Sequence, residues 1–533
     1  MAHYSQFNIT DDHSYNVYNA IKYCKENNER ELVFDKGFYE FHSDRASEEV
    51  LHISNHDVYG IQRIAFLLKD MADFTIDGSG SEFLFYGSMN PFAILNCENI
   101  TLKNFSVDID DTMTMELEVT DACEDYFEAI VKNSVKYYIK GEMLHFYNDD
   151  GDDDIFHYMT IRSMGKDKSF IAQSTDKFRI SSPDIRFEDL GDKKIRVHKL
   201  GLKVEKNMHL ITRGTVRYAC DFFICESKDT IIDNVTLHKS YSMGVLGQKS
   251  ENITIDKMTV AAKDDCLWST NTDATHFVHC KGKIKVTNGD FSNHQDDALN
   301  VHGVYTQIVD KGEDYLLVRY MQNQANGLNI YDKGTTFAVV NPLTGILVSE
   351  HKIKDVEIIN INHTKIYVEG TTDNIEVGNV VEDLTWSCDV EFKNNRVANN
   401  RARGILIGAK GKVLIENNYF NTPGIGIFFE SDARFWFESG GTTYVEIKDN
   451  VFDNCKYAAG WGDSVIFFKP RPEFNYPQFY HKYISIENNK FINNKKKILS
   501  ADNIERIIFK NNTIDGYKEV SFENCGVVDT DIE

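Results

Sequence analysis

KNNRVANNRARGILIGAKGKVLIENNYFNTP, residues 393–423, sets two Asn-Asn pairs in equivalent places, each followed by a short strand-like run. From Asn395 to Asn418 the step is 418 − 395 = 23 residues. The same step separates Asn489 from Asn512, in ENNKFINN and KNNTIDGY, and Asp233 from Asp256, in IIDNVTL and TIDKMTV. Longer steps of 32 and 39 residues join Asn418 to Asn450 and Asn450 to Asn489. A unit of about 20–25 residues with short strands and Asn-rich corners is the pattern of a parallel β-solenoid. Asn tolerates the left-handed conformation that a corner needs, and stacked Asn side chains can hydrogen-bond from coil to coil. The longer coils then carry loops, and loops gathered on one face are where binding is built.

Working outward, Ser14 to Glu29 reads as an amphipathic helix, with Tyr15, Tyr18, Ile21 and Cys24 recurring every third residue, placed to cap the open end of the solenoid. ELVFDKGFYEF follows as two short strands around a turn, and helical periodicity then disappears. Two stretches lack the Asn corners: Ile109 to Lys206, and Val304 to Asp383 with YLLVRYM, TTFAVV and TKIYVEG. Both read as small inserted β domains. The expected plan is therefore solenoid with capping helix over 1–108, an insertion over 109–206, central coils over 207–303, a second insertion over 304–383 and terminal coils over 384–533. The acidic run Asp149 to Asp154 lacks the Gly and Glu positions of a calcium-binding EF-hand loop and reads as a solvated turn.

Of the 533 residues 42% are hydrophobic and 26% charged, the composition of a folded chain. A formal charge of −24 argues against nucleic acid or an anionic membrane as partner. The first residues, MAHYSQFNITDD, show no basic region followed by an apolar core. The chain as it stands thus reads as cytoplasmic, or as secreted or periplasmic if a leader precedes it. Ten scattered cysteines form no CxxC pair and no metal-like spacing, so free buried thiols, no metal and no cofactor are expected. A homo-oligomer is compatible with the sequence but nothing in it specifies one.

The chemistry gathers in NTDATHFVHCKGKIKVTNGDFSNHQDDALNVHG, residues 271–303. Asp273, Asp296 and Asp297 stand there among His276, His294, Asn300 and His302. Cleavage of a glycosidic bond needs one carboxylic acid for the leaving oxygen and a second carboxylate for water or sugar. Stacked coils lie ~4.8 Å apart, and 296 − 273 = 23 is one short coil. Neighbours on a regular strand face opposite ways, so Asp296 and Asp297 share a site only if the chain kinks between them. An alternative registry aligns VTL, MTV and GDF as equivalent strands, which stacks Asp265 beneath Asp296 at 296 − 265 = 31 and makes Asp265 the rival second carboxylate. The pair Asp264 and Asp265 reads otherwise as a solvated corner.

The runs YSMGVLGQKSENITIDKMTV, TDATHFVHCKGKIKV and HQDDALNVHG, in this order, resemble glycoside hydrolase family 110. Further matches are ISNHD at Ile53 to Asp57, NRARGIL at Asn400 to Leu406, VLIENNYF at Val413 to Phe420, and Trp436, Glu438, Ser439 and Gly440. The resemblance implies exo-acting α-1,3-galactosidase activity on a right-handed parallel β-helix with inserted β-barrel domains. It also implies an inverting mechanism, with Asp296 as general acid and Asp273 and Asp297 activating the water. An inverting pair of carboxyls is expected ~6.5–9.5 Å apart. Val304 after the HG departs from the family, where Thr is expected. The expected substrate-binding set is His276, Asn300, His302, Arg401, Arg403, Trp436, Glu438, His56 and Asp265. Arg401 and Arg403 alternate, so only one of them is expected on a given face. Trp436 could stack on the sugar ring, and His276 and His302 could be hydrogen-bonded scaffold.

NTD and QDD also suit a polygalacturonase-like hydrolase, but its GHG and Arg-x-Lys motifs are missing, with VRYMQNQ standing in that region. A non-catalytic glycan-binding solenoid would need no convergent carboxylates.

Overall fold

The computed structural model describes residues 1–162, 185–198, 204–263, 266–458, 460–470 and 479–532. A single coil shows the building rule. Strand Lys281–Thr287 runs to Asn288, whose φ of 58° turns the chain, and the short strand Asp290–Ser292 follows. A loop over 293–298 then leads into strand Leu299–Val304. Repeated coil after coil, the first two strands of each turn build one 21-stranded sheet and the third builds a 13-stranded sheet. Neighbouring coils pair in parallel throughout, so the architecture is a parallel β-helix. Inward residues stack on like residues one coil away. Phe420 and Phe452 have ring centroids 5.1 Å apart, and Phe452 and Phe491 4.9 Å.

The two members of each Asn-Asn pair do different work. The first takes the left-handed conformation: φ is 56° at Asn394, 55° at Asn417, 59° at Asn488 and 56° at Asn511, with Asp449 at 59° in the one coil that lacks the first Asn. The second turns inward, and Asn395, Asn418, Asn450 and Asn489 are all buried. The backbone N–H of Asn395 donates to Asn418 Oδ1 at 2.9 Å, that of Asn418 to Asn450 Oδ1 at 2.9 Å, and that of Asn450 to Asn489 Oδ1 at 3.0 Å. Asn512 Oδ1 accepts in turn from Asn489 at 2.9 Å. Each Nδ2 also donates to a backbone carbonyl of the preceding coil, as Asn450 does to Ile415 at 2.9 Å. The ladder thus satisfies polar backbone groups at a bend where strand pairing is interrupted.

The helix spans His13–Glu26. It starts one residue before the expected Ser14 because Asp12 accepts the Ser14 N–H at 2.9 Å as an N-cap. It stops three residues before Glu29 because Asn28 takes a φ of 55°. Val17, Ala20, Ile21 and Cys24 form its buried face, whereas Tyr15 and Tyr18, expected on that face, are exposed. The helix packs on Glu31–Val33, Phe38–His42 and Tyr59–Lys69 at the N-terminal end of the solenoid.

Two β units depart from the coils. Strands from Thr114–Ala122 onward form an eight-stranded sheet whose described pairings are antiparallel. Its last strand, His209–Gly214, pairs with Thr114–Ala122, so the insertion runs past residue 206. The acidic run is not merely solvated: Asp150 accepts from the Ser88 N–H at 2.6 Å and from Arg63 Nη1 at 2.9 Å, fastening this sheet to the solenoid. The second unit is a closed six-stranded barrel between Thr306 and Asp383. All ten cysteines are free thiols, and seven are buried.

Replacing Asn450 by Ala leaves the Asn418 N–H without its acceptor inside the stack. The expected loss is about 2–3 kcal/mol of stability, read as a lower midpoint in urea or thermal unfolding.

Candidate active site

The loop that follows the second strand of each coil builds one cleft from successive coils. Before this loop the registry is Thr259 with Asp290 and Val260 with Phe291, an offset of 290 − 259 = 31. After it Thr275 pairs with Leu299 and His276 with Asn300, an offset of 299 − 275 = 24. The Ser269 N–H already donates to the Asn293 carbonyl at 3.1 Å, so the 31 − 24 = 7 extra residues fall between Val260 and Ser269. The strand alignment that pointed to Asp265 is therefore right for the strands but ends before the loop. Asp264 and Asp265 themselves lie outside the described residues.

Asp273 consequently stacks on Asp297, one residue beyond the Asp296 that a 23-residue step picks out. The Ala274 N–H donates to the Asp297 carbonyl at 2.8 Å, and the Asp297 N–H donates to Asp273 Oδ1 at 3.1 Å. Asp296 and Asp297 lie in a loop whose first residue, Asn293, has a φ of 64°, so strand alternation does not govern them. The kink lets all three carboxylates converge, with one oxygen from each within 4.8 Å of the others. The three environments differ. Asp296 is partly open and lines the cleft, Asp273 lines it from a nearly buried position, and Asp297 is fully buried behind them.

The next coil supplies the cations. Ala402 has a φ of 65°, which breaks the alternation expected of Arg401 and Arg403 and brings both guanidiniums to the same carboxylate. Arg401 Nη1 lies 3.7 Å from Asp296 Oδ2 and Arg403 Nη2 3.8 Å from Asp296 Oδ1. Arg403 also grips Asp297 through both oxygens, Nε to Oδ1 at 2.9 Å and Nη2 to Oδ2 at 2.8 Å. Burial pushes the Asp297 carboxyl well up, while the same contact holds the Arg403 guanidinium more firmly charged. The two tendencies conflict. Two donated hydrogen bonds need both oxygens as acceptors, which fits the ionised form of Asp297. For Asp273, burial raises the carboxyl, and Arg217, the Asp297 N–H, Arg403 and His302 oppose it.

His276, which lines the cleft, and His302 behind it are buried side by side, their Nε2 atoms 2.9 Å apart, and His276 Nδ1 lies 2.7 Å from Asp273 Oδ2. Burial pushes His276 well below the ordinary histidine range. Asn300 lines the cleft with a buried carboxamide oxygen that has no hydrogen-bond partner among the described residues, a ready acceptor for a hydroxyl. Trp436 stands at the rim, 39% exposed. Asp432 shapes its loop by accepting the N–H groups of Arg434 at 2.8 Å, Phe435 at 3.1 Å and Trp436 at 2.9 Å. Beyond it Glu438–Ser439 pairs antiparallel with Gly303–Val304. A Cβ on Gly303 would sit 2.1 Å from Ser439 Oγ and push that hydroxyl aside. Val304, the departure from the family pattern, is buried in the barrel core and does not line the cleft.

His56 is buried, with Nδ1 donating to the Ser54 carbonyl at 2.9 Å and burial lowering it to about 4; it does not line the cleft. Its neighbour Asn55 does, together with Arg217, Glu430 and Asp432, none of which strand periodicity marks. Arg217 follows directly on the first insertion, and its Nη1 donates to the Asn55 carbonyl at 3.0 Å. The space enclosed, open mouth included, is about 490 Å³. Among the described residues Asp273, Asp296 and Asp297 form the one cluster tight enough to share a cation, but guanidinium charge already balances it.

Arg403→Lys keeps the charge and loses the fork that fixes both Asp297 and the approach to Asp296. A fall of about 100-fold or more in kcat/KM is expected, as for a catalytic geometry displaced by about 1 Å, with a lower melting temperature in the same preparation.

Comparison with known proteins identifies the family. A model of the right-handed β-helix region matches residues 318–530. The chain is 33% identical over 523 residues to an α-1,3-galactosidase B of Phocaeicola vulgatus, covering 92% of this chain and 86% of that protein. With an α-1,3-galactosidase A of Shewanella woodyi it shares 30% identity over 529 residues, covering 95% and 84%. Among solved structures, the A-module of an Azotobacter vinelandii mannuronan C-5 epimerase aligns over the whole of both chains at 8% identity, with a TM-score of 0.42. The chain is a right-handed parallel β-helix of the α-1,3-galactosidase family, glycoside hydrolase family 110.

Proposed function

We propose that this protein is an exo-acting glycoside hydrolase that releases terminal α-1,3-linked galactose from oligosaccharides or glycans with inversion at the anomeric carbon. The observation that carries the reading is the convergence of Asp273 and Asp296 on one cleft, with Arg403 joining Asp296 to the buried Asp297 behind it, in a chain of this family.

Asp296 is the general acid. It is the most open of the three carboxylates and faces the cleft, where a glycosidic oxygen can reach it. Asp273 is the base that draws the proton from the attacking water, its orientation fixed by the Asp297 N–H and by His276. Asp297 serves differently from the water-activating role that the resemblance implies. Both of its oxygens are committed to Arg403 and its side chain has no access to the cleft, so it holds Asp273 and Arg403 in place. The inverting course is taken from the family resemblance.

The rim fits a neutral sugar. Trp436 offers an aromatic face to the apolar side of a galactose ring, and Asn300 and Glu438 offer acceptors to its hydroxyls. Glu430, Asp432 and Glu438, with Asp273 and Asp296, outnumber Arg217 and Arg403 on the cleft wall and so disfavour a uronate, which weighs against the polygalacturonase-like alternative. The antiparallel pairing of Glu438–Ser439 with Gly303–Val304 walls the cleft on one side, as an enzyme acting at chain ends requires.

Proton NMR of the sugar first released from an α-1,3-galactoside should show the β-anomer; first appearance of the α-anomer would replace inversion by retention. Asp296→Asn should abolish cleavage of natural oligosaccharides yet spare much of the activity on aryl galactosides, whose leaving groups need less protonation. Asp273→Asn should lose both activities, because no leaving group substitutes for an activated water. Turnover is also expected to be unchanged in EDTA. Activity lost there and restored by a divalent cation would assign the three carboxylates to a metal instead.

A further inference from the structure

Three hydrogen bonds run in line behind the cleft. Asp273 Oδ2 meets His276 Nδ1 at 2.7 Å, His276 Nε2 meets His302 Nε2 at 2.9 Å, and His302 Nδ1 meets the Gly303 carbonyl at 2.7 Å. Each contact needs one proton. A carbonyl oxygen only accepts, so His302 Nδ1 carries the first. The contact between the two Nε2 atoms needs a second, and the contact between carboxylate and imidazole a third. Two neutral imidazoles supply only two. The chain therefore holds one proton more than two neutral histidines and an ionised aspartate.

That proton has three places to sit. On Asp273 it would leave both rings neutral and make the carboxyl useless as a base. On His276 it would create an imidazolium that is 1% exposed; burial, His302 and Arg217 oppose it there and together outweigh Glu438 and Asp296. On His302 it would lie 3.6 Å from Glu438 Oε1, with an anion to face. The other charged groups around the chain act in the same sense. Arg217 and Arg403 favour an ionised Asp273, while Glu438 and Asp296 favour a cation on the histidine pair, with Glu438 Oε1 3.6 Å from His302 Nε2. His56 completes the surroundings from behind, and its Nδ1 is committed to Ser54.

We propose that His276 and His302 are positioning residues that hold this extra proton on His302 beside Glu438, fixing His276 as its Nδ1–H tautomer and keeping Asp273 ionised as the base. The inference rests on Asp273 being the base of the proposed reaction. A concerted shift of two protons, His302 Nε2 to His276 Nε2 and His276 Nδ1 to Asp273 Oδ2, moves the chain to its inactive form without changing its net charge. Removal of the third proton at alkaline pH leaves two protons for three contacts, so one contact opens and the base loses its support.

Two measurements test this. In the intact protein with ¹⁵N-labelled histidine, one ring should be doubly protonated at neutral pH, should lose that proton on the alkaline side, and should be missing from His302→Gln. Two neutral rings throughout the working pH range would overturn the proposal. This arm needs no turnover, so absence of galactosidase activity would sink the proposed function without deciding the proton count. In the kinetic arm, His302→Gln keeps an N–H donor at the Nε2 position that does not titrate. It should retain kcat/KM within about tenfold, one charge-assisted hydrogen bond's worth, and lose the alkaline fall of the wild type. His302→Leu removes the donor and should cost about 100-fold or more. Equal losses in both variants, with the alkaline limb unmoved, would make the pair mere scaffold.

Discussion

Stacked coils turn at one place through a left-handed residue, Asn234, Lys257 and Asn288 in the central coils, and from Asn395 onward a buried Asn beside that residue enforces the turn. Its side chain accepts a backbone N–H from one neighbouring coil and donates to a carbonyl there, so the bend leaves no buried backbone group unpaired. The residue before it carries the left-handed turn and faces outward. With the corner fixed, a coil can lengthen only on the opposite side. The ladder keeps its geometry across steps of 23, 32 and 39 residues, and the surplus chain emerges as loops.

That constraint explains why the cleft is where it is. Asp273, the Asp296–Asp297 pair and Arg403 come from three consecutive coils at equivalent points of the same loop. Parallel pairing on the following strand holds the three loops at the spacing of β-strands, close enough for an N–H of one coil to bond the carboxylate of the last. The fork of Arg403 joins the third coil to the second. A buried ion pair of this kind adds little net stability, because desolvation consumes most of its attraction. Its effect is directional: it fixes which carboxylate faces inward and leaves the adjacent one to the cleft.

The repeat was legible in the sequence because its cause is local. A left-handed corner restricts residue type, and the Asn pairs therefore reappear at readable intervals. The carboxylates were legible too, since Asp296 and Asp297 adjoin one another within a run of histidines. Their registry was not. Strand alignment gave an offset of 31, which holds up to Val260, and nothing in the residues of 261–268 announces that the following strand resumes at 24. The conformation of Ala402 was equally hidden, because a positive φ is uncommon for alanine and is set here by the surrounding loops. Arg217 escaped for another reason. It follows an insertion of about a hundred residues, and only the closure of strand His209–Gly214 onto Thr114–Ala122 returns it to the cleft.

The departures from the short coil concentrate where recognition takes place. The 32-residue step from Asn418 to Asn450 contains the loop with Asp432, Trp436 and Glu438, so its excess length becomes the rim of the cleft. The first insertion leads out of the coils and delivers Arg217 on its return, and the barrel begins three residues after Gly303. Glu438 links these additions to the chemistry, since it belongs to the rim, pairs by its backbone with Val304 at the root of the barrel, and faces His302. A change in rim length would therefore act on the environment of His302, and through the histidines on Asp273, as well as on the sugar. With sugar binding and proton placement as proposed, the two are coupled because the same loop supplies both.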